Sequence, residues 1–229
     1  MAVAFDAKPT AYNSSDGLNQ EAVGATSCTA TTGMTAGGSA TTIVGMLSFS
    51  SWVAAAPTNI AMTWDSASLG SGLTISSTSG SQTSTSSIWS KESPSTGAKT
   101  LASSWTTAQD VYMSCITFTG SQRYVSGDAS NTQSASIAIN TTSDGATVAN
   151  FAIDGNTPTV SQTKIWAEAP NNPGGGGSYA IGGSSTTTHT FTSSAGSWRS
   201  LVGVQLTAKT GTLTNSFTRQ FARVRASNY

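Results

Sequence analysis

The chain has 229 residues, of which 39 are Ser and 37 are Thr, so about a third carry a small hydroxyl while 9% are charged. That balance excludes long amphipathic helices and coiled coils, because Ser and Thr compete with the helical backbone for its hydrogen bonds. Ten Lys and Arg offset ten Asp and Glu, leaving no overall field to recruit nucleic acid or an anionic membrane, and neither is expected as a partner.

Leu, Ile, Val and Phe are sparse, but a chain of zero net charge with six Trp, seven Phe and five Tyr has the aromatic area to build a core, and disorder is not expected. Short β-rich segments alternate with turn signals at the spacing of a sandwich or barrel. The predicted strands are 3–6, 25–31, 41–49, 60–65, 73–77, 87–91, 99–105, 111–119, 135–140, 147–153, 163–167, 187–192, 200–208 and a last element within 213–224. No helix is predicted. Asp16-Gly17, Asp144-Gly145 and Asp154-Gly155 mark tight turns, where Gly supplies the positive φ that hairpins require.

Residues 43–47 and 111–116 are apolar on both parities, the pattern of central strands covered on two faces. Elsewhere the alternation is one-sided, as in Ile137 and Ile139, or His189 and Phe191 against Thr188, Thr190 and Thr192. An outer, solvated face of Thr and Ser is therefore expected to account for the composition. The low-complexity stretch 76–87 is expected as a loop or a polar edge strand, and 170–178, with four consecutive glycines at Gly174–Gly177, as a flexible loop.

Few residues offer chemistry. Cys28 and Cys115 stand 87 positions apart in a chain with one histidine, which makes neither a zinc site nor a disulfide framework, so both are expected as buried thiols. His189 lies in a Thr-rich strand without a Gly-x-Ser-x-Gly elbow and is expected as a partly exposed structural residue. Asp65, Glu92, Asp110 and Glu168 are the carboxylates considered for a glycosidase pair, and nothing in their spacing makes one. The glycine run lacks a following Lys-Ser/Thr, so it is no phosphate loop. No catalytic residue, cofactor or metal site is expected. The first residues show neither a basic stretch nor a 7–15-residue apolar run, so no secretory signal is expected.

Two groups of residues remain as candidates for recognition. Trp64, Trp89 and Trp105 would stack sugars if their rings faced solvent, although Trp in a sandwich is more often core. The tail from Leu213 to Tyr229 gathers Phe217, Arg219, Phe221, Arg223 and Arg225 with no acidic residue. It suits either a last strand closing the sandwich or an arm anchored on an acidic neighbour.

The order of segments between about 41 and 207 resembles a jelly-roll-like β-sandwich module found in tailed-bacteriophage virion proteins and some bacterial surface proteins. The likeness rests on a strand at 43–49, the strand Met62-Thr63-Trp64, Ile88-Trp89 leading into Pro94-Ser95-Thr96-Gly97, the strand 111–118 running into Thr119-Gly120, and the late strand 200–206. It implies one all-β domain, an antiparallel sandwich over 41–207 with a β-rich N-terminal extension over 1–40 and a C-terminal arm or closing strand over 208–229. It also implies a non-enzymatic structural protein located in the virion, a capsid decoration or minor capsid protein contacting the major capsid or tail protein and copies of itself. The alternative is a tail- or fibre-associated module that binds carbohydrate or a receptor.

Overall fold

The computed structural model of the chain describes residues 1–10, 17, 20–31, 34–51, 55–122, 130–132, 135–153, 157–169, 174–193 and 198–210. Among these residues there is no helix. The strands are β1 (Ala4–Ala7), β2 (Gln20–Ala30), β3 (Thr35–Ala36), β4 (Thr42–Ser51), β5 (Ala61–Trp64), β6 (Ala67–Ser68), β7 (Leu73–Ser79), β8 (Gln82–Glu92), β9 (Gly97–Ala98), β10 (Leu101–Thr119), β11 (Ser130–Thr132), β12 (Ser136–Asn140), β13 (Ala146–Ile153), β14 (Thr159–Val160), β15 (Thr163–Glu168), β16 (Gly174–Ile181), β17 (Thr186–Thr192) and β18 (Arg199–Leu206). The fold is all-β, and antiparallel sheets pack face to face.

The first sheet runs β6-β5-β10-β4-β8-β7, with β1 and β2 on the other side of β10. The expected strands 99–105 and 111–119 merge into one strand of 19 residues that starts at Leu101. Its pairing with β2 slips between Ser104 and Gln109 and again before Val111. Such bulges bend and twist a strand without ending it, so the sheet curls around its own concave face. The N-terminal strands β1 and β2 are members of this sheet.

The concave face encloses Ile43, Leu47 and Phe49 of β4, Met62 and Trp64 of β5, Trp89 of β8, and Leu101, Trp105, Val111, Met113 and Cys115 of β10, with Cys28 and Ala30 of β2 closing over them. Phe49 meets Trp105 edge-on at 4.9 Å, the geometry that ring quadrupoles favour. The opposite parity of β4, β8 and β10 places Val44, Met46, Ile88, Tyr112 and Ile116 against a second sheet, ordered β11-β18-β13-β16-β15. A third sheet, β12-β17-β14, covers that one from outside through Ile137, Ile139 and Phe191 on Phe151 and Leu201. Covered on both sides, β13 is buried at every position.

The glycine run departs from expectation. Gly174–Gly177 form the first half of β16, hydrogen-bonded between β13 and β15. The reason is Trp166 of β15, whose indole lies across the neighbouring strand. A Cβ at Gly175 would come within 2.6 Å of that ring, and one at Gly177 within 2.7 Å. Glycine there supplies a slot for an aromatic ring, the use that strand glycines have where another group approaches closely.

The hydroxyls also sit elsewhere than expected. The stretch 76–87 is the turn and flanks of the β7–β8 hairpin, paired as far as Ser79 and Gln82, and Gly80 takes the φ of 60° that primed hairpin turns use. Thr83, Ser84, Thr85, Ser86 and Ser87 of β8 are all buried. Three of them pair across the hairpin, Thr74 with Ser87 at 2.8 Å, Ser76 with Thr85 at 2.7 Å and Thr78 with Thr83 at 3.1 Å, and Ser86 bonds to the second sheet, whereas Ser84 Oγ is buried without a hydrogen-bond partner. Small β-branched and hydroxyl side chains thus fill interior strands as well as outer faces.

Candidate functional site

His189 is fully buried, not partly exposed. It projects from β17 onto the second sheet, with Nε2 2.9 Å from Thr147 Oγ1 and Nδ1 2.7 Å from Ser178 Oγ. A neutral imidazole has one donor and one acceptor nitrogen, and a hydroxyl serves either, so both contacts are satisfied without charge. Burial drives the imidazole pKa from 6.5 down to about 4, since the cation would lose its hydration. The group is a structural joint between two sheets, out of reach of any substrate.

Asn150 plays the matching part on the other face of β13. Its Nδ2 donates to Leu47 O at 2.7 Å, Ser86 Oγ at 2.9 Å and Ser87 O at 3.2 Å. Ser86 Oγ donates to Asn150 O at 2.7 Å, and Ser48 Oγ to Phe151 O at 2.9 Å. These bonds tie the first sheet to the second in the middle of an apolar layer.

The acids and thiols have local duties. Asp6 Oδ2 accepts from Gly37 N at 2.9 Å and from Thr117 Oγ1 at 2.7 Å, and Asp110 Oδ1 accepts from Gly24 N at 2.6 Å. Lys99, bonded to Asp65 at 3.0 Å, and then Ser95 hold the Asp65 carboxyl below its ordinary pKa. Neither cysteine is in a disulfide. Burial pushes the Cys28 thiol up to about 12, and the Cys115 thiol is raised for the same reason, so neither is a thiolate at neutral pH. Among the described residues no group of three or more His, Cys, Asp or Glu is placed to hold a metal ion.

Trp64, Trp89 and Trp105 are 1%, 1% and 4% exposed. Trp64 Nε1 donates to Ser95 O at 2.8 Å and Trp105 Nε1 to Ala25 O at 2.9 Å, while Gly72 lies so close to Trp89 that a Cβ would come within 2.3 Å of the ring. None of the three offers a ring face for a sugar, because all point into the concave core. Phe217, Arg219, Phe221, Arg223 and Arg225 lie outside the described residues.

Two surfaces stand out instead, and neither was singled out by sequence. One is the convex face of the curled sheet. Register places Thr29, Ala102 and Thr63 side by side, then Ser27, Ser104 and Ala61, with Ser68 of β6 beside Thr63. A shallow depression crosses it at Ala61, Thr63, Ala102 and Ser104. No side chain of this field carries a charge. Its small size and outward parity were readable, but which strands lie side by side was not. The other surface is an apolar end beside β1 and β16, where Phe5 stacks on Tyr179 at 5.4 Å and remains 41% exposed. No protein-family model matches the chain, and no curated protein or solved structure matches it significantly.

Proposed function

We propose that this chain is a non-enzymatic structural protein of a bacteriophage virion, a capsid decoration or minor capsid protein that covers or stabilises the particle by packing against the major capsid or tail protein and against copies of itself. The observation that carries this reading is the uncharged convex field of Thr29, Ala102, Thr63, Ser27, Ser104 and Ala61. Burying a charge without a partner is costly, whereas methyls and hydroxyls are desolvated cheaply and hydroxyls find new partners across an interface. An uncharged field of this kind suits repeated, symmetry-related contacts on a lattice. The bracing of three stacked sheets by Asn150 and His189 supports the same role, since a covering subunit must keep its shape under load. Quantitative mass spectrometry of purified virions from the encoding phage tests the location: the chain is expected at many copies per particle, and its absence from washed particles overturns the reading. Ser104→Arg with Ala61→Glu is expected to leave a folded protein that no longer joins the particle.

A further inference from the structure

β8 is paired with β4 as far as Glu92, but with β7 only as far as Ile88, opposite Leu73. Beyond that point the chain leading into β7 swings away from the strand. Gly70 turns it at a φ of 85°, and its N–H closes the turn on Ser68 Oγ at 3.0 Å. The gap left beside β8 is a pocket of about 460 Å³, lined by Ser68, Leu69, Gly70, Ser90, Lys91 and Glu92.

Register fixes what the strand presents there. Ser93 N donates to Thr41 O at 2.8 Å, one step beyond the Thr42–Glu92 pair. Alternation then turns the backbone of Lys91 toward β4, and the N–H and C=O groups of Ser90 and Glu92 toward the pocket. Ser90 is the most deeply set of the lining residues of β8, 5% exposed, and its Oγ has no hydrogen-bond partner. Lys91 and Glu92 are consecutive and so stand on opposite faces of the strand, a cation and an anion flanking the pocket with no net charge. Lys91 Nζ donates to Ser68 O at 2.8 Å, which uses one of its three protons.

We propose that this pocket binds a sugar ring, a neutral and compact ligand whose hydroxyls each donate and accept. Three features select that chemistry. Donors and acceptors alternate along the strand edge, and vicinal hydroxyls can answer both. The opposite charges of Lys91 and Glu92 favour neither a simple anion nor a simple cation. The pocket is also blind at one end. A Cβ at Gly72 would lie 2.3 Å from the Trp89 indole, so the chain rests on that ring, and at Leu73 β7 takes up the pairing line. A through-running peptide strand has no path, whereas the volume is that of a small-molecule site. The inference does not depend on the virion reading.

Saturation-transfer NMR and calorimetry on the full chain test it, with D-glucose, D-galactose, D-mannose, L-rhamnose and N-acetyl-D-glucosamine as probes. At least one is expected to bind saturably in the millimolar range. Glu92→Gln and Lys91→Met are each expected to weaken that binding about tenfold, the loss that follows from removing a charged hydrogen-bond partner, with the urea midpoint unchanged. In the parent protein, the saturating sugar is expected to slow acetylation of Lys91 by an N-hydroxysuccinimide ester severalfold and to leave Lys209 unaffected. No saturable binding by any of the five sugars overturns the proposal. So does binding that both variants retain and that leaves Lys91 unprotected, which places the sugar elsewhere. Binding of a capped Thr-Val-Thr-Val peptide but of no sugar would assign the open edge to strand addition and overturn it as well.

Discussion

The two layers that flank the second sheet are each braced through a buried polar side chain, Asn150 in one and His189 in the other, and they differ in what a proton does to it. Toward the first sheet, Asn150 is bonded to carbonyls and hydroxyls that do not titrate. Toward the third sheet, His189 rests between two hydroxyls and must stay neutral to remain there. The glycines of β16 divide in the same way. On the first side Gly175 is pressed by Trp166, Phe151 O and Ser48, all within 3.0 Å of where a Cβ would lie, whereas on the second side Gly176 meets Phe191 and Pro158 at 3.3 Å. One layer is tight and indifferent to pH, the other looser and acid-sensitive, although both are built on the same strands.

The sharpest way to break this contrast is Asn150→Ala, which opens a cavity in an apolar layer and removes the amide donor from Leu47 O, Ser86 Oγ and Ser87 O. It is expected to cost on the order of 4 kcal/mol, read from the urea midpoint, and a loss below about 1 kcal/mol would show that the amide is not a brace. Next comes Gly175→Ala, expected to cost about 3 kcal/mol, because backbone oxygen and a packed indole cannot both move aside. His189 tests the other layer. Between pH 6.5 and about 4 the unfolded chain takes up a proton that the folded chain refuses. Stability therefore falls as the pH drops through that window, by about 1.4 kcal/mol per pH unit, and the contribution is complete above pH 6.5. In His189→Gln that one-proton slope is expected to vanish from chemical denaturation curves taken across the window, while Asn150→Ala keeps it. The smallest effect is expected for Gly176→Ala, below about 1 kcal/mol, since the Phe191 ring and Pro158 need shift by only tenths of an ångström. Equal losses at Gly175 and Gly176 would erase the distinction between the layers.

Strands were legible wherever alternation or a two-sided apolar run told inside from outside. Residues 43–47 do lie in a strand covered on both faces, and Ile137, Ile139 and Phe191 do face inward. What escaped was set by partners far along the chain. Gly174–Gly177 carry no side-chain signal of their own, and their place in a central strand depends on the ring of Trp166. The hydroxyls of β8 look solvent-facing in sequence, and only the β7 ladder and Asn150 supply the buried partners of Thr83, Thr85, Ser86 and Ser87. Asn150 itself sits in the run Ala149-Asn150-Phe151, where one polar residue between apolar ones is the trace a buried brace leaves. For His189, the flanking threonines suggested exposure, whereas its alternation with Phe191 pointed correctly to the inner face. The Trp positions share their strands' inward parity, so the same alternation argues for core over sugar platform.

β10 also dictates when folding can begin. It pairs with β1, β2, β4 and β5, and Ala4 meets Thr119 across 115 positions of chain. During synthesis at about 5–20 residues per second, β1 and β2 must wait several seconds for their partner. Of the pairings within the first sheet, only β4–β8, β7–β8 and β5–β6 form from sequence made before residue 100. A chain halted there holds strands without a closed core, and completion is a slow, non-local step of the kind that high contact order imposes.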